Sequence, residues 1–159
     1  MIQLFLKGDE FNYDEGSGRG PSSWGTLNLN CSAGLRQSAI DIRPVQVSSE
    51  LRELQRNYRY AAADLRNRTI DVAVNCGLYR EWELTINGRA YRVQNIHWHS
   101  PSEHTFDGVR FPLEVHIVHR SDQNDTAVVS ILYRYGLPDP FLATVRGGFY
   151  SPTVSSRTG

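Results

Sequence analysis

Any fold available to this chain has to accommodate one stretch, Asn95 to His119, which reads NIHWHSPSEHTFDGVRFPLEVHIVH and holds all five histidines of the protein. Crowding every imidazole into so short a run is most economically explained by a metal site. The spacing says more than the count. His97 and His99 stand at i and i+2, so on an extended strand both rings project to the same side, whereas a helix would splay them apart. The preceding residues, RAYRVQN, follow an Asn87-Gly88 pair, which is a strong signal for a two-residue hairpin turn and places a strand here. A second run, Leu113 to His119, also alternates: Glu114, His116 and Val118 fall on one face, and Leu113, Val115, Ile117 and His119 on the other. Antiparallel pairing of the two runs lets His116 complete a three-nitrogen site.

Three neutral imidazoles with an open fourth position describe a catalytic rather than a structural zinc, because structural sites close all four positions and lean on thiolates. The cofactor expected is therefore Zn2+, held by His97, His99 and His116. A carboxylate that takes the other ring N–H of a ligand fixes its tautomer, and Glu103 and Glu114 are the candidates, with Glu114 on the face of His116. His104, in the connector beside the ligands, and His119, on the opposite face, are read as buried hydrogen-bonding histidines, with His104 in a supporting position.

The run IHWHSPSEHTFDG followed by LEVHIVH resembles the active-site signature of the alpha-carbonic anhydrases, and is most similar to the plant-type members. Upstream, FNYDEGSGRGPSSWGTL resembles the family's aromatic amino-terminal segment, CSAGLRQSAIDI its Gln-Ser-Pro-Ile-Asp-Ile element, and SSELRELQRNYRYAAADLRNRTIDVAV its next pair of strands. The resemblance implies a mostly β fold with minor α, built on a central, largely antiparallel twisted sheet. It covers a partial domain over 11–145, with an amino-terminal extension at 1–10 and a polar Gly/Ser/Thr-rich tail at 146–159 read as disordered. The family's carboxy-terminal third has no counterpart, so the sheet is expected to be incomplete. Its absence fits a truncated gene product, a splice variant, or a short protein that has lost catalysis.

The same resemblance implies an activity, the reversible hydration of carbon dioxide to bicarbonate and a proton by zinc-hydroxide attack. Glu114 would orient His116, and Asn95 would orient His97 from a position where the family has glutamine. Glu103 matches the catalytic glutamate that accepts a hydrogen bond from a threonine, and that threonine lies in the missing third. Tyr13 and Asn67 match polar positions of the active-site water network, while Val118 and Val128 match the apolar wall of the substrate pocket. Ile70 occupies the position where fast members carry a proton-shuttling histidine, so no shuttle is expected. Two other readings stand beside this one: a catalytically impaired carbonic-anhydrase-related zinc-binding or storage protein, and a cupin-type metal barrel. The second arises because His97-x-His99-xxx-Glu103 also fits the first cupin motif and would make Glu103 a ligand, but the second cupin motif is absent.

At 159 residues and 40% hydrophobic, the chain suits one globular domain. Zero net charge gives no sign of nucleic acid or an anionic membrane surface as partner, and the partner that the resemblance implies is a small molecule, carbon dioxide or bicarbonate. The opening MIQLFLKGDE is too short an apolar run for a signal-peptide core. Three glycosylation sequons, at Asn30, Asn67 and Asn124, together with the family resemblance suggest a secreted protein or an organelle lumen. Cys31 and Cys76 are read as free thiols, or as one disulfide if the chain is exported. In secreted members of the family the counterpart of Cys31 pairs with a cysteine in the carboxy-terminal part of the domain, which this chain lacks. Strands are expected over Asp71–Val74, Glu81–Ile86, Arg89–Trp98, Leu113–His119 and Ala127–Tyr135, with a polar turn at Ser121–Asp125 and a short helix over Ser48–Leu54 by local capping propensity.

Overall fold

The structure is a computed structural model that describes residues 11–43, 54–68, 71–75 and 81–143. The amino-terminal extension, Ile70, Cys76, the tail and nearly all of the expected helix at Ser48–Leu54 lie outside these residues. The strands in chain order are β1 (Asp41–Ile42), β2 (Gln55–Asn57), β3 (Asp64–Asn67), β4 (Val72–Asn75), β5 (Glu83–Ile86), β6 (Arg89–His99), β7 (Thr105–Phe106), β8 (Val109–Arg110), β9 (Leu113–Arg120) and β10 (Thr126–Tyr133). Among the described residues helix is confined to short pieces such as Trp24–Leu27 and Leu29–Ala33. The fold is mostly β around an antiparallel sheet, as the resemblance implied.

β6 is the spine of the sheet. The main path runs β10-β9-β6-β4-β3, with β5 pairing β6 and β2 pairing β5. The first half of β6 pairs β5, from Ile86↔Arg89 to Glu83↔Arg92, and its second half pairs β4, from Val74↔Ile96 to Val72↔Trp98. Its other edge pairs β9 from Arg92↔Arg120 to His99↔Glu114. The β5–β6 hairpin closes on Asn87 and Gly88, whose φ values of 52° and 75° are those a type I′ turn requires. A second hairpin, β7–β8, closes in the same way on Asp107 (φ 49°) and Gly108 (φ 74°). β1 adds to β7 in parallel, and the Asp41 carboxylate accepts from the Thr105 hydroxyl at 2.7 Å and from the Gly108 N–H at 2.8 Å.

The two faces of β6 are assigned by a bulge. Val93 pairs with His119 but Asn95 pairs with Val118, so Gln94 is an extra residue in the strand. It turns outward, exposed to solvent. Beyond it, Ile96 and Trp98 share the inner face with Val93 and Val115 and form the buried core, flanked by Tyr58, Val74, Trp82, Ile117, Tyr133 and others. Asn95, His97 and His99 take the opposite face. Without the bulge, strict alternation would have placed Val93 among the histidines.

His119 lies on the core face and is fully buried. Tyr58 stacks on its ring at 5.8 Å and its hydroxyl stands 2.7 Å from Nε2. Burial pushes the His119 pKa down, against an opposing pull from the backbone at Ala127 and Ile117. Among the described residues no helix is long and apolar enough to cross a membrane.

Candidate metal centre

The register of β6 against β9 sets His97 directly opposite His116, and the two-residue period carries His99 to the same face. The three ring centroids are 4.8 Å (His97–His99), 5.2 Å (His97–His116) and 5.0 Å (His99–His116) apart. Each residue offers one ligand atom within 4.8 Å of the others, and all three side chains are buried. Burial, reinforced by the neighbouring rings of His99 and His116, pulls the His97 pKa down to about 3. Burial likewise lowers that of His99, against an opposing pull from Glu103. A neutral imidazole keeps the lone pair a metal needs.

Two of the three rings have one nitrogen committed elsewhere. Glu114 is fully buried and carries four hydrogen bonds. Its Oε1 stands 2.8 Å from His116 Nε2 and 2.5 Å from His104 Nδ1, and its Oε2 accepts the backbone N–H groups of Glu103 (2.8 Å) and His104 (2.9 Å). Burial alone would raise the Glu114 pKa, but the bonds from the His104 and His116 side chains and the His104 backbone hold it well below the usual carboxylate range. The bond to Glu114 in turn raises the pKa of His104. With Nε2 donating to a carboxylate, His116 has Nδ1 left as its ligand atom. His104 and Glu114 also form a geometric cluster with His116, but their polar atoms are spent on one another.

His97 is different. It is fully buried, and neither ring nitrogen has a hydrogen-bond partner. Two orphaned polar atoms at one buried side chain are costly unless something else binds them. This is the feature that makes the donor set fit a cation, and three histidines with no thiolate fit zinc with an open position.

Asn95 does not orient His97. Its Oδ1 is buried and also lacks a partner, so the hydrogen bond implied by the family's glutamine is not made by the shorter amide. Glu103 accepts the Tyr13 hydroxyl at Oε1, and its two oxygens stand 3.7 Å from His99 Nδ1 and 3.7 Å from His116 Nδ1. It also lines a cleft of about 270 Å³ that includes Trp24 and Arg110.

Tyr13 reaches the centre from the amino-terminal turns, where its ring packs edge-on to Trp24 at 5.4 Å and its hydroxyl lies 3.0 Å from His99 Nδ1. Burial, followed by the charge of Glu103 and the hydrogen bond to it, pushes the Tyr13 pKa up. Val118 and Val128 are a register pair on the histidine face of β9 and β10, both half-buried. Asn67 is exposed and closes β3 opposite Val72.

Two residues escaped the sequence reading. Asp71 precedes β4 with its carboxylate nearly buried and held by two 2.6 Å bonds from Arg68, and its charge acts on both His97 and His99. The period of two in DVAV could have found it. Ser102 is fully buried and pins the connector: its hydroxyl donates to the His104 carbonyl at 2.7 Å and accepts the Phe111 N–H at 2.8 Å. Nothing in SPSEH announces that role. Cys31 is exposed and free.

The sequence matches the eukaryotic-type carbonic anhydrase family over residues 19–137. Alpha carbonic anhydrase 2 of Arabidopsis thaliana is 41% identical over 138 residues, which is 84% of this chain and 56% of that protein. Dioscorin dioA3 of Dioscorea japonica is 45% identical over 144 residues, 85% of this chain and 51% of that protein. The chain thus spans about half the length of the curated relatives it matches. Among solved structures, dioscorin complexed with ascorbate superposes with a TM-score of 0.77 at 43% identity, covering 87% of this chain and 60% of that one. The alpha-carbonic anhydrase of Thermovibrio ammonificans with the inhibitor sulfanilamide gives 0.73 at 29% identity, covering 85% and 60%. With the match running from the amino-terminal turns through the strand that follows His119, the chain belongs to the carbonic anhydrase family of the eukaryotic type.

Proposed function

We propose that this chain binds Zn2+ through His97, His99 and His116, and that the centre serves the reversible hydration of carbon dioxide to bicarbonate and a proton. The observation that carries the reading is His97, a fully buried ring with both nitrogens unpartnered, facing two further buried histidines with ligand atoms within 4.8 Å. Zinc bound by three imidazoles supplies a Lewis acid that activates water near neutral pH.

The chain's own residues would do the rest. His97 and His99, kept neutral by burial, present lone pairs. Glu114 fixes the ring of His116 and, through the Glu103 and His104 amides, the turn that carries Glu103. Glu103 holds a carboxylate at the centre to accept a hydroxyl proton, and Val118 and Val128 offer an apolar surface to a substrate with no charge. With isoleucine at position 70, proton export is left to buffer.

The test is zinc stoichiometry together with carbon dioxide hydration followed by stopped flow. One zinc per chain, lost in His97→Ala and His116→Ala but retained in His104→Ala, is expected. Stoichiometric zinc in the triple-alanine variant of His97, His99 and His116 would overturn the assignment.

A second reading is favoured by the dioscorins, which are as similar to this chain as the plant anhydrases are. In it the chain keeps the metal centre and does not turn over. Zinc binding without hydration above the buffer rate, in a folded chain, would select it.

A further inference from the structure

His99 and Glu103 are too far apart to bond directly. Nδ1 of His99 stands 3.7 Å from Oε1 of Glu103, beyond hydrogen-bond reach. The hydroxyl of Tyr13 lies between them, 3.0 Å from the nitrogen and bonded to the same carboxylate oxygen. A phenol has one proton, and a carboxylate only accepts. The proton therefore goes to Glu103, and the phenol oxygen is left to accept from His99.

We propose that Tyr13 is a positioning residue of the metal centre: by donating to Glu103 and accepting the Nδ1 proton of His99, it holds that ring in the tautomer whose Nε2 is free to coordinate. This rests on the zinc reading above and adds to it a role for the amino-terminal segment.

Other features support the role. Tyr13 is fixed before it meets the histidine. Its ring packs edge-on against both Phe11 (6.4 Å) and Trp24 (5.4 Å), and the Trp24 indole N–H donates to the Arg19 carbonyl at 2.9 Å, closing the turn that carries Tyr13. Gly20, buried inside that turn, leaves no room for a side chain, since a Cβ would meet the Asp14 carbonyl oxygen at 2.6 Å. The arrangement also parallels the one at His116, where Glu114 occupies Nε2 and leaves Nδ1. A neutral imidazole with no partner prefers its proton on Nε2, which for His99 would be the coordinating atom. An acceptor at Nδ1 reverses that preference, and ligand-orienting partners of this kind are commonly worth 10- to 100-fold in metal affinity.

The test uses Tyr13→Phe, which keeps the ring and removes the hydroxyl. In metal-free protein labelled with 15N at histidine, long-range proton–nitrogen spectra should show His99 protonated at Nδ1 in the parent and shifted toward Nε2 in the variant. Zinc affinity, measured by chelator competition, should fall by roughly 10- to 100-fold.

Glu103 provides a second pair of variants should Tyr13→Phe fold poorly. Glu103→Gln keeps an acceptor and should preserve the parental tautomer. Glu103→Leu leaves the Tyr13 proton to point at His99 and should invert it. A parent with His99 protonated at Nε2, or a Tyr13→Phe protein with unchanged tautomer and zinc affinity within twofold, overturns the inference. A parent that binds no zinc overturns the metal reading, and the tautomer measurement then decides the role of Tyr13 by itself.

Discussion

At His97 the requirements of stability and of binding pull in opposite directions. Its ring is fully buried with two unpartnered nitrogens, and each such atom in a folded interior costs about 1–3 kcal/mol of desolvation that nothing repays. Leucine fills a similar volume without polar atoms. In chelator-stripped protein, His97→Leu is therefore expected to melt above the parent, by the equivalent of about 1 kcal/mol or more. With zinc at about a thousand times its Kd the order should reverse, because the parent gains about 4 kcal/mol from the ligand and the variant gains nothing. Paired thermal melts with and without chelator read both halves. A variant less stable than the parent in both conditions would mean that the imidazole nitrogens are satisfied by the protein itself. His116 is not expected to behave this way, since its Nε2 is bonded to Glu114 and its removal leaves a buried carboxylate short of a donor.

Among the elements, β6 shows what local pattern reveals and what it hides. Gln94 is the extra residue that puts Val93 in the core and Asn95, His97 and His99 on the site face. Deleting it would join Val93 to Asn95 on opposite faces without a bulge, leaving the pairs Val93↔His119 and Asn95↔Val118 in continuous register. The deletion of Gln94 is thus expected to cost no more than about 1 kcal/mol and to keep one zinc per chain, as read by melting and metal analysis. Loss of zinc would show that the local twist of the bulge is needed to aim the histidines. The gathering of His97, His99 and His116 was legible because three chemically distinctive residues recur at a period of two on strands announced by their own alternation. The Asn87-Gly88 turn was legible because few dipeptides tolerate two positive φ angles, and Asp107-Gly108 carried the same signal unread. The bulge was not legible, for a single outward glutamine has no composition of its own. Nor was the failure of Asn95 to reach His97, which turns on one methylene. The bond from Tyr13 to His99 joins residues 86 apart and is invisible to any local rule.

For the molecule as a whole, the buried histidines and Glu114 set the response to acid. His97, His99 and His119 have folded pKa values pushed below the ordinary 6.5 by burial, so below about pH 6.5 the unfolded chain takes up protons that the folded one refuses, and stability falls. Glu114, held below its ordinary 4.5, adds a second loss as pH drops below about 4.5. His104 acts with the opposite sign. Its raised pKa contributes stability that is full below about pH 6.5 and is lost as pH rises through its folded value. His97, pulled down to about 3, is shifted far enough to set the balance, so metal-free protein is expected to be most stable near pH 7 and to lose melting temperature progressively toward pH 5 and more steeply below 4.5. His119→Gln should flatten the first limb, and an unchanged slope would exclude His119 as a source. The 86-residue span between Tyr13 and His99 also makes their contact an expensive one to close. His97 and His116 are about 19 residues apart, and closing that loop costs about 1.3 kcal/mol less entropy than closing the longer one. The β6–β9 pair is the cheaper closure and can gather its imidazoles without waiting for the amino-terminal turns, so the tyrosine is a latch on a centre that a much shorter stretch of chain can assemble.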